Sequence, residues 1–283
     1  MTERDSYSAE ISRANPSCFL FLIDQSGSMQ DIVPGWGRSK AQGVADAINK
    51  LLQNLVIKCA KGEGVRDYYY AGVIGYGEHV GPAFSGALAG RELVPLSEIA
   101  NSPARIEERA RKEDDGAGGI MERKVKFPIW FDAVANGGTP MCRAMHEANR
   151  ILAEWLTQHP NCFPPVVVHI TDGDSTDGNP TEAMRAVTDL SSADGNVLLF
   201  NIHLSSNPDA NTISFPDASV PLPDQYAKLL FAAASRLTAF MRSVAKQDHH
   251  LDLSEQAKGF VLNADIVLVI TAMDIGTRPS NLR

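Results

Sequence analysis

Residues 18–23 read CFLFLI, an unbroken apolar run that stops at Asp24 and turns at once through Ser26 and Ser28. A short run without polar alternation is the pattern of a strand buried on both faces of a parallel sheet. Ser39-x-x-Gln42 then forms a capping box, and Val44, Ile48, Leu51, Leu52, Leu55 and Cys59 recur at helical spacing, so a helix is expected to cover that strand. Residues 68–76 (YYYAGVIGY) are aromatic and β-branched and predict a second strand, with 80–84 returning as a short hairpin partner.

The rhythm resumes at Thr139. Pro140 suits a first helical turn, and Met141, Ala144, Met145, Ala148, Ile151, Leu152 and Trp155 make one apolar stripe. Residues 165–171 (PVVVHIT) predict the next buried strand, Asn179-Pro180-x-Glu182 the start of another helix, and 197–204 (VLLFNIHL) a further strand. A helical stretch follows over 224–245, then a short strand at 260–262 and a helix after Asn263. Strands alternating with amphipathic helices predict an α/β fold: a doubly wound, Rossmann-like, mostly parallel sheet with helices on both faces and one antiparallel edge strand.

Residues 85–136 interrupt the pattern with a Gly-rich loop, a charged helix expected over 103–113, a flexible EDDGAGG, and an extended VKFPIWF reaching Asp132. The segment is too short and too poor in apolar periodicity to hold its own core, so it is expected to be an insertion. The expected organisation is a polar tail over 1–16 and a single domain over 17–283, carrying that insertion and a long Pro/Ser/Asn loop at 205–223.

Charge narrows the partners. Lys+Arg 26 against Asp+Glu 34 gives a net charge of -8, which opposes a phosphate backbone or an anionic membrane surface. Neither nucleic acid nor membrane is expected as a partner. Residues 1–17 show no apolar signal core and no run is long enough to span a bilayer, so a cytoplasmic location is expected. Cys18, Cys59, Cys142 and Cys162 are far apart and read as free thiols, without a zinc knuckle or disulfide framework. Asp248-His249-His250 reads as a solvated turn.

Three expected strand ends or helix starts are rich in hard oxygen donors: Asp24-x-Ser26-x-Ser28, Gly137-Gly138-Thr139-Pro140 and Asp172-Gly-Asp174. Singly, each has a local explanation: Ser28 as a turn residue, Thr139 as an N-cap, Asp172 closing an Asx-turn. Taken together, carboxylates and hydroxyls without His or Cys favour a hard divalent cation, and few charges among many neutral oxygens suit Mg²⁺, with Mn²⁺ or Ca²⁺ as alternatives. Glycines 27, 137 and 138 let the loops close around a small ion.

The sequences DQSGSM, GGTP and ITDG resemble the von Willebrand factor A (VWA) domain with its metal-ion-dependent adhesion site (MIDAS), over residues 17 to about 275. The resemblance implies that Ser26, Ser28 and Thr139 supply hydroxyl ligands and that Asp24 and Asp172 bind directly or through water. It further implies a site completed by an Asp or Glu of a protein partner, with no catalysis. VKFPIWFDAVANGGTPM and the tail DIGTRP are similar to bacterial intracellular members, some encoded beside protein kinases, PP2C-type phosphatases and tellurite-resistance systems. A scaffolding role in a stress or defence system follows as the expectation.

A different template is an apolar strand followed by Asp-x-Asp-x-Thr, as in haloacid dehalogenase-like Mg²⁺ phosphatases. There Asp172 would be the nucleophile and Asp174 the general acid, with Lys246 and Asp248 the nearest candidates for the remaining groups. It leaves Asp24, Ser26, Ser28 and Thr139 without a role. Asp174 and Asp177 read as solvated loop acids, and neither a calcium loop at 172–178 nor a phosphate loop at 34–37 has the required spacing.

Overall fold

The computed structural model describes residues 6–33, 37–114, 120–204 and 211–278. Most of the 34–37 motif, residues 115–119 of EDDGAGG, the first part of the 205–223 loop and the tail from Pro279 lie outside the described residues.

In chain order the principal elements are β1 (Ser17–Asp24), α1 (Lys40–Cys59), β2 (Tyr69–Tyr76), β3 (Val80–Pro82), β4 (Val94–Pro95) and α2 (Leu96–Asn101). There follow β5 (Arg105–Asp114), β6 (Ile120–Ile129), α3 (Met141–Gln158), β7 (Val166–Thr171) and α4 (Thr181–Asp189). The last third holds β8 (Leu198–Leu204), β9 (Ile213–Ser214), α5 (Gln225–Ala233), α6 (Ala239–His249), β10 (Phe260–Ala264) and α7 (Ile266–Thr277).

One sheet runs β9-β10-β8-β7-β1-β2-β3, with β4 also paired to β2. β1 is parallel to β2 and β7, β7 to β8, and β8 to β10. The antiparallel strands are β3 and β4 at one end and β9 at the other, so both edges carry one where the hairpin signal predicted a single edge. β1 is buried along its whole length because helices cover both faces. Phe19, Phe21 and Ile23 pack with Val44 and Ile48 of α1, Val244 of α6 and Met273 of α7. Cys18, Leu20 and Leu22 pack with Met145 of α3, Met184 of α4 and Leu230 of α5. A strand with two buried faces has no use for polar alternation, which is why its sequence is continuous. Among the described residues no helix is long and apolar enough to cross a membrane.

Two expected elements are corrected. The charged segment 103–113 is not a helix: β5 and β6 form a long antiparallel hairpin, in register from Arg105↔Ile129 to Asp114↔Ile120. Side chains two apart share a strand face, and Glu107 accepts there from both Arg105 and Arg109, while the Arg109 guanidinium lies 3.9 Å above the Phe127 ring. These same-face pairs, the cross-strand Arg109–Phe127 contact and the backbone ladder override the helical preference of Arg, Glu and Ala. The stretch 224–245 is two helices, because Ser235 leaves the helical path to join the sheet: its amide donates to Leu199 O and its carbonyl accepts from Gly259 N.

The segment 85–136 is anchored near its end by a buried side chain of α1. Asn49, buried on α1, accepts from the Trp130 and Phe131 amides at 2.8 and 3.1 Å and donates to Phe131 O at 2.8 Å. That side chain serves backbone groups that no neighbouring strand pairs, and it fixes the approach to the loop ending at Thr139. At the other end of the chain, residues 7–9 are tied to Asp194 by three backbone amides, and Ile11 is buried in the core.

Candidate metal centre

The chain passes from β1 to β2 on one side of β1, while β7 lies on the other. The carboxyl ends of β1 and β7 therefore flank the point where strand order reverses, the usual crevice for a ligand in this architecture. Three loops meet there.

The first follows β1. Asp24 is fully buried; the backbone then enters a 3₁₀ turn, Gly27–Gln30, pinned by the buried Met29. The turn presents Ser26 and Ser28 together, with their hydroxyl oxygens 3.0 Å apart. The second loop, 136–139, is bound to the first by backbone hydrogen bonds, Asn136 N to Gln25 O at 2.6 Å and Gly27 N to Gly137 O at 3.0 Å. Gly137 has φ +88, and a Cβ there would lie 2.4 Å from Glu78 N. Only glycine fits that close approach.

The third loop follows β7. Thr176 ties it to the second loop: its hydroxyl accepts from Thr139 N at 2.9 Å and its amide donates to Thr139 O at 2.9 Å. Asp177 takes the Cys142 and Arg143 amides at 2.9 and 3.0 Å, capping α3 from across the loop. Asp177 is thus an exposed loop acid that also caps a helix, and Thr139 is not the cap of that helix. Burial raises the Asp177 pKa, but the amides outweigh it and hold the carboxyl below its ordinary value.

The side chains form one connected group. Ser26 N donates to Asp24 Oδ1 at 2.8 Å and Thr171 Oγ1 to Asp24 Oδ2 at 2.9 Å. Ser28 Oγ donates to Asp172 Oδ1 at 2.8 Å, and Lys40 Nζ to Asp172 Oδ2 at 2.8 Å. Asp24, Ser26, Ser28 and Asp172 thus lie in one hydrogen-bonded cluster. Thr139, 6% exposed, reaches it through the backbone of its loop. Burial, against the opposing hydrogen bonds from Ser26, pushes the Asp24 carboxyl up to about 6.

This donor set fits a hard cation. It is made of oxygens alone, and among the described residues no group of three His, Cys, Asp or Glu is placed to hold a metal without the hydroxyls. Asp24 has dipoles for partners where a buried carboxylate calls for positive charge, which a divalent ion supplies.

Three residues of the site were missed from sequence. Thr171 read only as the end of a strand, yet its hydroxyl orients Asp24. Tyr226 of α5 donates to Gly173 O and lies 3.4 Å from Thr171 Oγ1; nothing local marks it. Lys40 did carry a signal: it opens α1, where the helix field disfavours a cation. The candidates for a phosphatase arrangement are otherwise engaged, Lys246 with Asp252 at 3.0 Å and Asp248 with Arg278.

No family model and no curated protein matches the chain. Among solved structures, the chain is similar to three N-terminal domains of the type V pili tip protein Mfa5 from Porphyromonas gingivalis, at 12% identity over 57% of this chain and 20% of that one, with a TM-score of 0.33. It is similar to the ArnB paralog VWA2 from Sulfolobus acidocaldarius at 14% identity, over 69% of this chain and 36% of that one, TM-score 0.35. The vWF domain of Mfa5 aligns at 15% identity over 57% of this chain and 39% of that one, TM-score 0.31. The chain thus spans well under two thirds of each of these solved chains, and no site residue is carried over from them.

Proposed function

We propose that the protein is a Mg²⁺-dependent protein-binding module of the VWA type, in which Asp24, Ser26, Ser28, Thr139 and Asp172 hold the ion and an Asp or Glu of another protein completes its coordination. The observation that carries this reading is the continuous contact from Asp24 through Ser26 and Ser28 to Asp172, assembled from two strand ends at the reversal point of the sheet. When bound, the ion supplies a partly hydrated electrophilic centre. The chain's own residues do the rest: Thr171 and Ser26 orient Asp24, Ser28 and Lys40 orient Asp172, and the Asn136–Gly137 backbone brings Thr139 to the rim. A carboxylate meeting such an ion makes a short charge-assisted contact, so one acidic side chain can dominate the partner's affinity. Mn²⁺ and Ca²⁺ are alternative ions. The partner class we favour is a bacterial kinase or PP2C-type phosphatase in a stress or defence system, in the cytoplasm.

The test is calorimetric titration of the purified chain with Mg²⁺ and Mn²⁺, beside Asp24→Ala, followed by capture of candidate partners with Mg²⁺ or with EDTA. Saturable binding lost in Asp24→Ala is expected, and capture indifferent to both chelation and the substitution would defeat the metal-bridge mechanism. Turnover of a generic phosphomonoester, abolished by Asp172→Asn but not by Ser28→Ala, would instead favour phosphatase chemistry.

A further inference from the structure

Lys40 is the least expected member of the site. Its side chain is 3% exposed and its ammonium lies 2.8 Å from Asp172 Oδ2, whose own side chain is fully buried. A second carboxylate, Asp31, stands 3.4 Å away but is 55% exposed, so solvent screens it. Burying a lysine at the first residue of a helix costs side-chain entropy, desolvation and an adverse helix field. A merely structural need of Asp172 for a second donor could be met by a neutral amide at lower cost.

Charge distinguishes the two. Asp24, Asp172 and Lys40 together leave one net negative charge, which a divalent ion converts to one net positive charge. Without Lys40 the loaded centre would be neutral. We propose that Lys40 is a built-in counter-ion that weakens divalent-ion binding and, in exchange, keeps the loaded centre cationic toward an anionic ligand. This rests on the metal-centre reading above. Lys40 acts through Asp172 as a positioning and specificity-determining residue.

The test uses Mn²⁺ as the ion and acetate as the carboxylate probe, on the full chain. Lys40→Gln retains a hydrogen-bond donor without the charge, whereas Lys40→Arg retains the charge. Calorimetry should find Mn²⁺ binding about tenfold tighter in Lys40→Gln and near wild type in Lys40→Arg, from the loss of one repulsive charge at close range. Acetate should displace manganese-bound water, read by water-proton relaxation, at a several-fold higher concentration in Lys40→Gln than in wild type. Opposite changes in ion and carboxylate affinity are not produced by loosened packing, which weakens both. If Lys40→Gln melts early without metal, saturating Mn²⁺ should raise its melting temperature more than it raises that of wild type, and an equal or smaller rise overturns the proposal. Wild type that binds Mn²⁺ while Lys40→Gln binds it equally or more weakly refutes the role of Lys40 alone. Wild type that does not bind Mn²⁺ refutes the metal centre itself.

Discussion

Asp177 lies across the first turn of α3, its two carboxylate oxygens 2.9 and 3.0 Å from the amides of Cys142 and Arg143. It thereby joins the loop after β7 to the helix that follows Thr139. Two of the three loops of the site are held together by a residue that does not belong to the proposed ligand set.

Asp177→Ala should therefore lower stability by about 1 kcal/mol, the usual cost of losing a helix cap. It should also weaken Mn²⁺ binding, because Thr139 shares that loop junction. Urea denaturation and calorimetry measure the two effects, and Asp177→Asn should retain part of each.

Gly137→Ala should be more damaging. Its backbone has φ +88, and the added Cβ would fall 2.4 Å from Glu78 N, so the loop must move to accept it. A cost of roughly 1–3 kcal/mol is expected, together with loss of Mn²⁺ binding, while the far-ultraviolet circular dichroism of the folded variant stays native.

Asn49→Leu keeps the shape of a buried side chain but leaves two amides and a carbonyl at 130–131 without their partner. Unsatisfied buried backbone groups cost about 1–3 kcal/mol each, so thermal denaturation should show a loss at the upper end of single substitutions. Amide exchange should quicken at Trp130 and Phe131 before it does in the central strands.

His169 gives a pH signature. It is fully buried, with Nδ1 2.8 Å from Asn201 Oδ1 and Nε2 2.6 Å from the Tyr76 hydroxyl. Because the Asn201 amide nitrogen already donates to Leu230 O, its oxygen accepts here, so Nδ1 carries the proton and Nε2 accepts from Tyr76. Burial lowers the His169 pKa to about 4, against 6.5 ordinarily. The unfolded chain then binds the proton first: the neutral ring's contribution is complete above about pH 6.5 and is lost as pH falls toward 4. The whole effect is about 3 kcal/mol. The comparison is best made between Asp24→Asn and Asp24→Asn/His169→Gln, since the buried Asp24 carboxyl titrates in the same range with opposite sign. Denaturation between pH 7 and 4 should show the steeper loss in the chain that keeps His169.

Much of this protein was legible in its residues alone. The unbroken CFLFLI and PVVVHIT runs marked strands covered on both faces, the Ser39 capping box and the stripe from Met141 to Trp155 marked helices, and the oxygen-rich strand ends marked the crevice. These signals are local, because a strand's burial and a helix's amphipathic face are written with periods of a few residues. Tertiary structure alone decided what depends on distant partners. Residues 105–114 carry helical composition, and only the opposing strand 120–129 makes them a hairpin. Asp177 became a cap because α3 starts beside it, and Ser235 broke a helix because Leu199 and Gly259 offered backbone partners. Lys40 became part of the site because α1 begins where β7 ends, 132 residues later in the chain. Hydrogen bonds and ion pairs act over a few ångströms in space whatever the separation in sequence, so the residues that orient the candidate ligands emerge only once the chain has folded.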